Sequence, residues 1–267
     1  DSGGVSRALA ALLSRRGHRC VLVDPGDQFQ KKEPGVWSLD PSDPAGFERI
    51  LHETSRTGPL PLRHIVHLWT AESTPGELTI DSLKQAQILG CSSVFHLVQA
   101  LARTGASSSP RLWLVTRGAV AAGSPALPLQ VAQAPLWGFG KVVALEYPAS
   151  WGGMLDLDPE TSEDDPATLL RELCNPEGED HLAFRSGVRY VLRLVPGNMP
   201  DPGPGGLRSD ATYMITGGLG TLGLRVARWM VHQGARHLVL TGRRDASSQP
   251  QESLSQLRQA GAQVSVV

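Results

Sequence analysis

Slid along itself by 217 positions, the chain matches itself. Val5, Leu9, Leu12, Leu13, Gly17, Arg19, Val21, Leu22 and Val23 fall on Leu222, Val226, Trp229, Met230, Gly234, Arg236, Leu238, Val239 and Leu240. In each copy the first four residues keep the three-and-four spacing of one helix face. A glycine then stops the helix, and an apolar run follows that suits a buried parallel strand. A loop, helix and strand used twice constrains the fold strongly, because such a unit buries its apolar face only within an alternating α/β sheet.

The second copy is preceded by a strand candidate, residues 212–216, whose counterpart in the first copy would lie before residue 1. After it, residues 254–260 read as a helix, Gly261 as its cap and 263–267 as the start of a third strand. A doubly wound sheet needs more strands than these. We therefore expect a piece of a longer polypeptide, cut at both ends.

Between the copies, residues 63–69 and 111–116 are strand candidates, and 80–101 is a helix candidate, apolar at Leu83, Ala86, Val94, Leu97, Val98 and Leu101. The expected fold class is α/β, with two Rossmann-like doubly wound units, the first degenerate and the second truncated. In the first unit, residues 20–23, 64–70 and 111–116 should lie parallel in one sheet. Glycine (29) and proline (20) together exceed the about 32 that average usage would supply. They concentrate between residues 196 and 206, where eight of eleven residues are one or the other. A stretch like that is neither helix nor central strand. The expected division is residues 1–195, a linker at 196–210, and 211–267.

The second copy carries the chemistry. Gly218, Gly220 and Gly223 form G-x-G-x-x-G directly after a strand and directly before an amphipathic helix, the setting in which that pattern points to a dinucleotide. One glycine allows the tight turn, the next lets backbone amides approach a pyrophosphate, and the third lets helix pack on strand. The helix N-terminus then offers unpaired donors to phosphate. A tight βα turn without ligand is the alternative. In the first copy the equivalent positions are Asp1, Gly3 and Ser6. Two glycines are missing there and a carboxylate stands near the phosphate position, so that copy should be empty.

Arg243 lies twenty residues after Gly223, where an NAD-binding fold usually places an acidic residue on the ribose hydroxyls. Arginine suits a 2′-phosphate instead, which favours NADP over NAD and argues against a methyltransferase. A solvated basic turn is the alternative reading of Arg243 and Arg244.

Other chemistry finds little footing. A formal charge of −1 from 25 basic and 26 acidic residues gives no whole-surface attraction to nucleic acid or membrane. Cys20, Cys91 and Cys174 lack metal or disulfide spacing, and no apolar run approaches the roughly 18 residues needed to span a bilayer. A cytoplasmic protein is expected. His64 and His67 form H-x-x-H, but strand periodicity points them to opposite faces. No G-x-S-x-G elbow is present, and a serine hydrolase has no motif without one. The acidic run at residues 160–165 reads as a solvated loop, and Trp69, Trp113, Trp137 and Trp151 read as core. Tyr147, Tyr190 and Tyr213 are followed four residues on by Trp151, Leu194 and Gly217, never by the lysine of a short-chain reductase.

The run Tyr213-Met-Ile-Thr-Gly-Gly-Leu-Gly-Thr-Leu-Gly-Leu224, with Ala227-Arg228-Trp229, Gly234-Ala-Arg-His-Leu-Val-Leu240 and Arg243-Arg244, resembles the ketoreductase domain of type I modular polyketide synthases. Leu136-Trp-Gly-Phe-Gly-Lys-Val-Val-Ala-Leu-Glu-Tyr-Pro148 and Trp151-Gly-Gly-Met-Leu-Asp-Leu-Asp158 resemble the structural subdomain that precedes it in that family. The resemblance implies a degenerate Rossmann subdomain without cofactor at residues 1–195 and the N-terminal part of an NADP-binding catalytic subdomain at 211–267. It further implies NADPH-dependent reduction of a β-ketoacyl thioester, carried on the phosphopantetheine of an acyl carrier protein, to β-hydroxyacyl. Other domains of the same synthase would be partners, and nucleic acid and membrane would not.

The cofactor-binding candidates are Gly217, Gly218, Leu219, Gly220, Thr221, Leu222, Gly223, Thr241, Gly242, Arg243 and Arg244. Among them Gly218, Leu219, Gly220 and Leu222 would contact pyrophosphate and ribose, Arg243 would contact the 2′-phosphate, and Gly242 stands where the family's usual pattern has serine. The family's catalytic serine, tyrosine, lysine and asparagine would lie past residue 267. No catalytic or metal residue is therefore expected here, and the piece alone should not turn over. A non-catalytic structural or pseudo-reductase module, and a fatty acid synthase ketoreductase, are the alternatives.

Overall fold

Helix α1 (Gly4–Arg15) ends where the sequence puts a glycine. Gly17 takes φ +82° and its amide returns to the Ser14 carbonyl at 3.0 Å, while the amide of His18 returns to Leu13 at 3.1 Å. A left-handed glycine lets the chain leave the helix and enter a strand at once. The computed structural model describes residues 4–56, 61–72, 77–104, 110–123, 129–174, 178–197, 206–242 and 248–267. The chain forms two compact units, Asp1–Leu194 and Val195–Val267.

In the first unit α1 is followed by β1 (Leu22–Pro25), β2 (Gln30–Glu33), β3 (Val36–Leu39), α2 (Pro44–Arg56) and β4 (His64–His67). Then come α3 (Ile80–Gln87), a π-helical turn (Ile88–Ser92), α4 (Ser93–Thr104), β5 (Arg111–Arg117) and α5 (Ala134–Glu146). The unit closes with β6 (Trp151–Leu157), α6 (Asp165–Cys174), β7 (His181–Arg185) and β8 (Val188–Val191). The main sheet has the order β4-β5-β6-β7-β8, parallel from β4 to β7 and ending in the antiparallel pair of β7 with β8.

The expectation that residues 20–23 share this sheet is not met. β1 pairs in parallel with β3, and β3 in antiparallel with β2, as a separate three-stranded sheet. In a doubly wound fold the strand before the first helix lies between the second and fourth strands. Among the described residues no strand bonds both β1 and β4. One direct link is a side chain, with Trp69 Nε1 donating to the Val23 carbonyl at 2.9 Å.

Strand β5 is buried on both faces, as central parallel strands are. Leu112 and Leu114 join one core with Leu39, Phe47, Val94, Leu97 and Met154, drawn from β3, α2, α4 and β6. Trp113 and Val115 join the opposite core with Leu9, Leu155, Leu169 and Leu173, which places α1 and α6 on that face. The helix read at residues 80–101 is present but passes through the π turn, where Ser93 Oγ bonds back to the carbonyls of Leu89 at 2.6 Å and Gly90 at 3.0 Å. Such back-bonding competes with the regular helical ladder.

The second unit runs β9 (Thr212–Thr216), α7 (Thr221–His232), β10 (His237–Thr241), α8 (Ser248–Gln259) and β11 (Gln263–Val266). Its sheet has the order β11-β10-β9, all parallel. Ala227 and Val231 of α7 and Leu254 and Leu257 of α8 pack with Leu238 and Leu240 of β10 in one core. Both units are Rossmann-type α/β structures. Among the described residues no helix is long and apolar enough to cross a membrane.

Candidate functional site

The loop from β9 to α7 is shaped by what its glycines exclude. Gly217 takes φ +66°, a left-handed turn directly after the strand. Gly218 then passes so close to the sheet that a Cβ would meet the Ile215 carbonyl and Leu240 Cβ, each at 2.8 Å. Its amide is tied to Thr241 at the end of β10, at 2.9 Å. A Cβ on Gly223 would meet the Gly217 carbonyl at 2.5 Å and Gly218 Cα at 2.6 Å, so this glycine lets the first turn of α7 lie on the loop itself. Backbone cannot retreat as a flexible side chain can, so both positions require glycine for the protein's own packing.

Gly220 differs. The one neighbour that a Cβ there would meet is the Gly217 carbonyl at 3.3 Å, a milder contact than those at Gly218 and Gly223. Packing crowds this position less than its neighbours, and Gly220 is exposed. Gly220 is also the N-cap of α7, with no side-chain cap and no acidic residue in the first turn. By helix geometry the first-turn amides have no acceptor within α7. A loop crowded on its sheet side, smooth on its outer side and backed by an uncapped helix N-terminus fits a phosphate-bearing ligand.

The structure brings together Gly217, Gly218, Leu219, Gly220, Thr221, Leu222 and Gly223 in one loop and first helical turn, beside Thr241 and Gly242 at the end of the adjoining strand. Leu219 packs against the core and would meet a Cβ on Gly242 at 3.2 Å. A serine there, as in the family's usual pattern, would need Leu219 to give slightly. Arg243 and Arg244 lie outside the described residues, as do Asp1 and Gly3.

In the first unit the corresponding ends of the strands are filled by charge. Asp156, fully buried at the end of β6, accepts from Thr116 Oγ1 at 2.5 Å, from the Ala119 amide at 2.9 Å and from Arg185 Nη2. Beside it, Arg117 donates to Asp165 at 2.6 Å and to the Asp158 carbonyl at 2.7 Å. Trp137 Nε1 donates to Thr116 Oγ1 at 2.9 Å. The reading of residues 160–165 as a solvated loop therefore fails at Asp165, which is buried against Arg117, while residues 160–164 are exposed.

This lattice went unread in the sequence, although a signal existed: Arg117 and Arg185 each close a run of buried strand residues. His64 and His67 have separate partners. Trp113 Nε1 donates to His64 Nδ1 at 3.2 Å, whereas His67 Nε2 meets Ser93 Oγ at 2.9 Å. Among the described residues no group of three or more histidine, cysteine, aspartate or glutamate side chains is arranged to hold a metal ion. Trp113, Trp137 and Trp151 are buried and Trp69 partly so.

Strand, glycine loop and helix in this geometry define a Rossmann unit of the dinucleotide-binding class, preceded in the same chain by a second unit of related plan. Residues 211–267 match the model of the KR domain family, and residues 40–194 match that of the Rossmann fold domain of the polyketide synthase extender module SpnB. The chain is 32% identical over its whole length to the polyketide synthase GfsA of Streptomyces halstedii, of which it spans 3%. A solved structure of A-type ketoreductases from a modular polyketide synthase is 32% identical, with a TM-score of 0.66 over 88% of this chain and 49% of that one. The first ketoreductase of the tylosin synthase is 27% identical, with a TM-score of 0.73 over 99% of this chain and 52% of that one. The chain belongs to the ketoreductase family of type I modular polyketide synthases. That family is one of oxidoreductases, its Rossmann fold implies a nicotinamide cofactor, and its members here are parts of multidomain synthases. The chain spans a small part of the curated relatives it matches and about half of the solved ketoreductases.

Proposed function

We propose that residues 211–267 form the cofactor-binding start of a ketoreductase that reduces a β-ketoacyl thioester on an acyl carrier protein to β-hydroxyacyl with NADPH, and that residues 1–195 form its cofactor-free structural subdomain, joined by the linker at 196–210. The observation that carries this reading is the graded crowding of the β9–α7 loop, where a Cβ would clash with backbone at Gly218 and Gly223, whereas at Gly220, exposed at the N-cap of α7, it would meet one neighbour, the Gly217 carbonyl at 3.3 Å. NADPH, when bound, supplies a hydride. The chain's own part is to hold it. The amides of Thr221, Leu222 and Gly223 and the α7 dipole would face the pyrophosphate, Leu219 would bound the crevice, and Thr241 and Gly242 would lead Arg243 to the 2′-phosphate, with Arg244 beside it.

Arg243 supports NADP because in the sequence it directly follows Thr241 and Gly242, twenty residues after Gly223, where a carboxylate would select NAD. Losing a hydrogen bond to a charged group costs about 1.5 to 3 kcal/mol, or roughly ten- to a hundredfold in affinity. Titrations of the intact protein with NADPH and NADH should therefore show Arg243→Ala weakening NADPH by about that factor and leaving NADH nearly unchanged. Arg243→Asp should lose more NADPH and gain NADH, and Arg244→Ala should cost less. Equal losses for the two cofactors would remove Arg243 from phosphate recognition. Tight NADPH binding without turnover of a carrier-bound β-ketoacyl thioester would favour a pseudo-reductase.

A further inference from the structure

The helix N-terminus that stands bare at α7 is filled at α1 from within the protein. The two helices correspond residue for residue at the 217 offset, Gly4–Arg15 against Thr221–His232, and Ser6 takes the place of Gly223. Neither helix has an acidic residue in its first turn. At α1, however, the Ser6 amide donates to Glu72 Oε1 at 2.7 Å, across 66 residues of sequence.

Glu72 is held for this contact by the turn that leaves β4. Its own amide bonds the Leu68 carbonyl at 3.1 Å, and Thr70 Oγ1 bonds the Val115 carbonyl at 3.0 Å. The carbonyl of buried Ala71 accepts from Arg117 Nε at 3.3 Å. The shelf that presents the carboxylate is thus fastened to β5 and to the ion lattice at the strand ends. In a doubly wound sheet the end of the fourth strand faces the first helix across the crevice where ligand docks. A carboxylate arriving from there offers the first turn of α1 the same charge and acceptor oxygens as a phosphate.

We propose that Glu72 is a specificity-determining residue of the first unit: an internal anion that occupies the N-terminus of α1 in place of a nucleotide phosphate and so keeps this unit closed to cofactor. The inference rests on reading the α7 loop as the nucleotide site. It goes beyond the loss of glycines at positions 1 and 6, because it names the group that has taken the ligand's place.

Hydrogen–deuterium exchange of the intact protein, followed in peptides covering residues 4–10 and 219–226, tests it. In the wild type, NADPH and inorganic pyrophosphate should slow exchange at 219–226 and leave 4–10 unchanged. Glu72→Ala should speed exchange at 4–10 roughly fivefold, the loss of one typical N-cap interaction, and pyrophosphate should then slow it again. Glu72→Gln keeps an acceptor oxygen without the charge, should fall between, and carries the comparison if the alanine variant unfolds. Slowing at 4–10 by NADPH in the wild type, unchanged exchange in both variants, or no response of Glu72→Ala to pyrophosphate would each overturn the proposal. A silent 219–226 peptide alongside the expected behaviour at 4–10 would instead sink the reading of the α7 loop.

Discussion

Helices α1 and α7 are one design in two surroundings. Each has twelve residues, and each ends on a glycine in the left-handed region, Gly17 at φ +82° and Gly234 at φ +104°. Gly17 bonds Ser14 and His18 bonds Leu13, and their counterparts repeat this, Gly234 to Val231 and Ala235 to Met230. The burial differs. Leu9 is 3% exposed in α1, whereas its equivalent Val226 is 37% exposed, with Leu222 at 75% and Trp229 at 58% on the same stripe. α1 buries its stripe against α6, through Leu169, Leu170 and Leu173, residues that lie far along the chain. α7 instead turns Gly223, Ala227 and Val231 inward. The same apolar pattern thus fixes helix and stop in both copies, while a distant element decides which face is core. In the first unit such distant contacts also fill the ends of β5, β6 and β7 with bonded charge.

The contrast is broken most severely at Asp156. Removing one partner from a buried, bonded ion pair strands the other charge, at a cost of about 3 to 5 kcal/mol. Asp156→Ala leaves the buried Arg185 guanidinium without its carboxylate partner and the Thr116 hydroxyl and Ala119 amide without the oxygen they donate to. Urea unfolding followed by exchange in the β5 and β6 peptides should show the first unit losing about that much. A change below 1 kcal/mol would mean that these strand ends are not held by this lattice.

A second internal fastening is visible through pH. Burial pushes the His67 imidazole down to about 4. Because Ser93 Oγ donates to the Leu89 carbonyl, it accepts from the neutral ring's Nε2. The unfolded histidine, near its ordinary 6.5, binds a proton between these values and the folded one does not, so stability rises with pH across that window. The contribution is complete above about pH 6.5 and is lost on acidification toward pH 4, about 3 kcal/mol in all. Denaturation midpoints from pH 7 to pH 4.5 should slope less for His67→Gln. The slope that remains includes His64, whose ring is also pushed down, by burial first and then by Arg111. An unchanged slope in the variant would take His67 out of the account.

The sequence made local features legible and distant ones not. The offset repeat marks α1, α7, both glycine stops and both following strands, because spacing and glycine conformation act over a few residues. The three glycines of the loop are readable for the same reason. Sheet membership was not, because where β1 pairs depends on which strand lies beside it, and residues 20–23 read alike in either sheet. Asp165 looked like one acidic residue among several, and only the fold brings Arg117 to it from 48 residues away. Glu72 carries no motif at all. A carboxylate that caps a helix 66 residues earlier has no local spacing to betray it.

The smallest effect sharpens the comparison at a single pair of positions. Gly223 and Ser6 are equivalent, yet a Cβ on Gly223 would sit 2.5 Å from the Gly217 carbonyl and 2.6 Å from Gly218 Cα. Ser6 already carries a Cβ at the equivalent position of α1. Gly223→Ser must push backbone against backbone, which costs about 1 to 3 kcal/mol when well-packed structure is overfilled. The loop would shift away from Thr241, so cofactor affinity should fall along with stability. Ser6→Gly removes a side chain and should cost about 0.5 kcal/mol, the difference in helix propensity. Urea midpoints for the two variants, read in peptides of the second and first units respectively, give the comparison directly. Equal costs would mean that the crowding around Gly223 does not set the two positions apart.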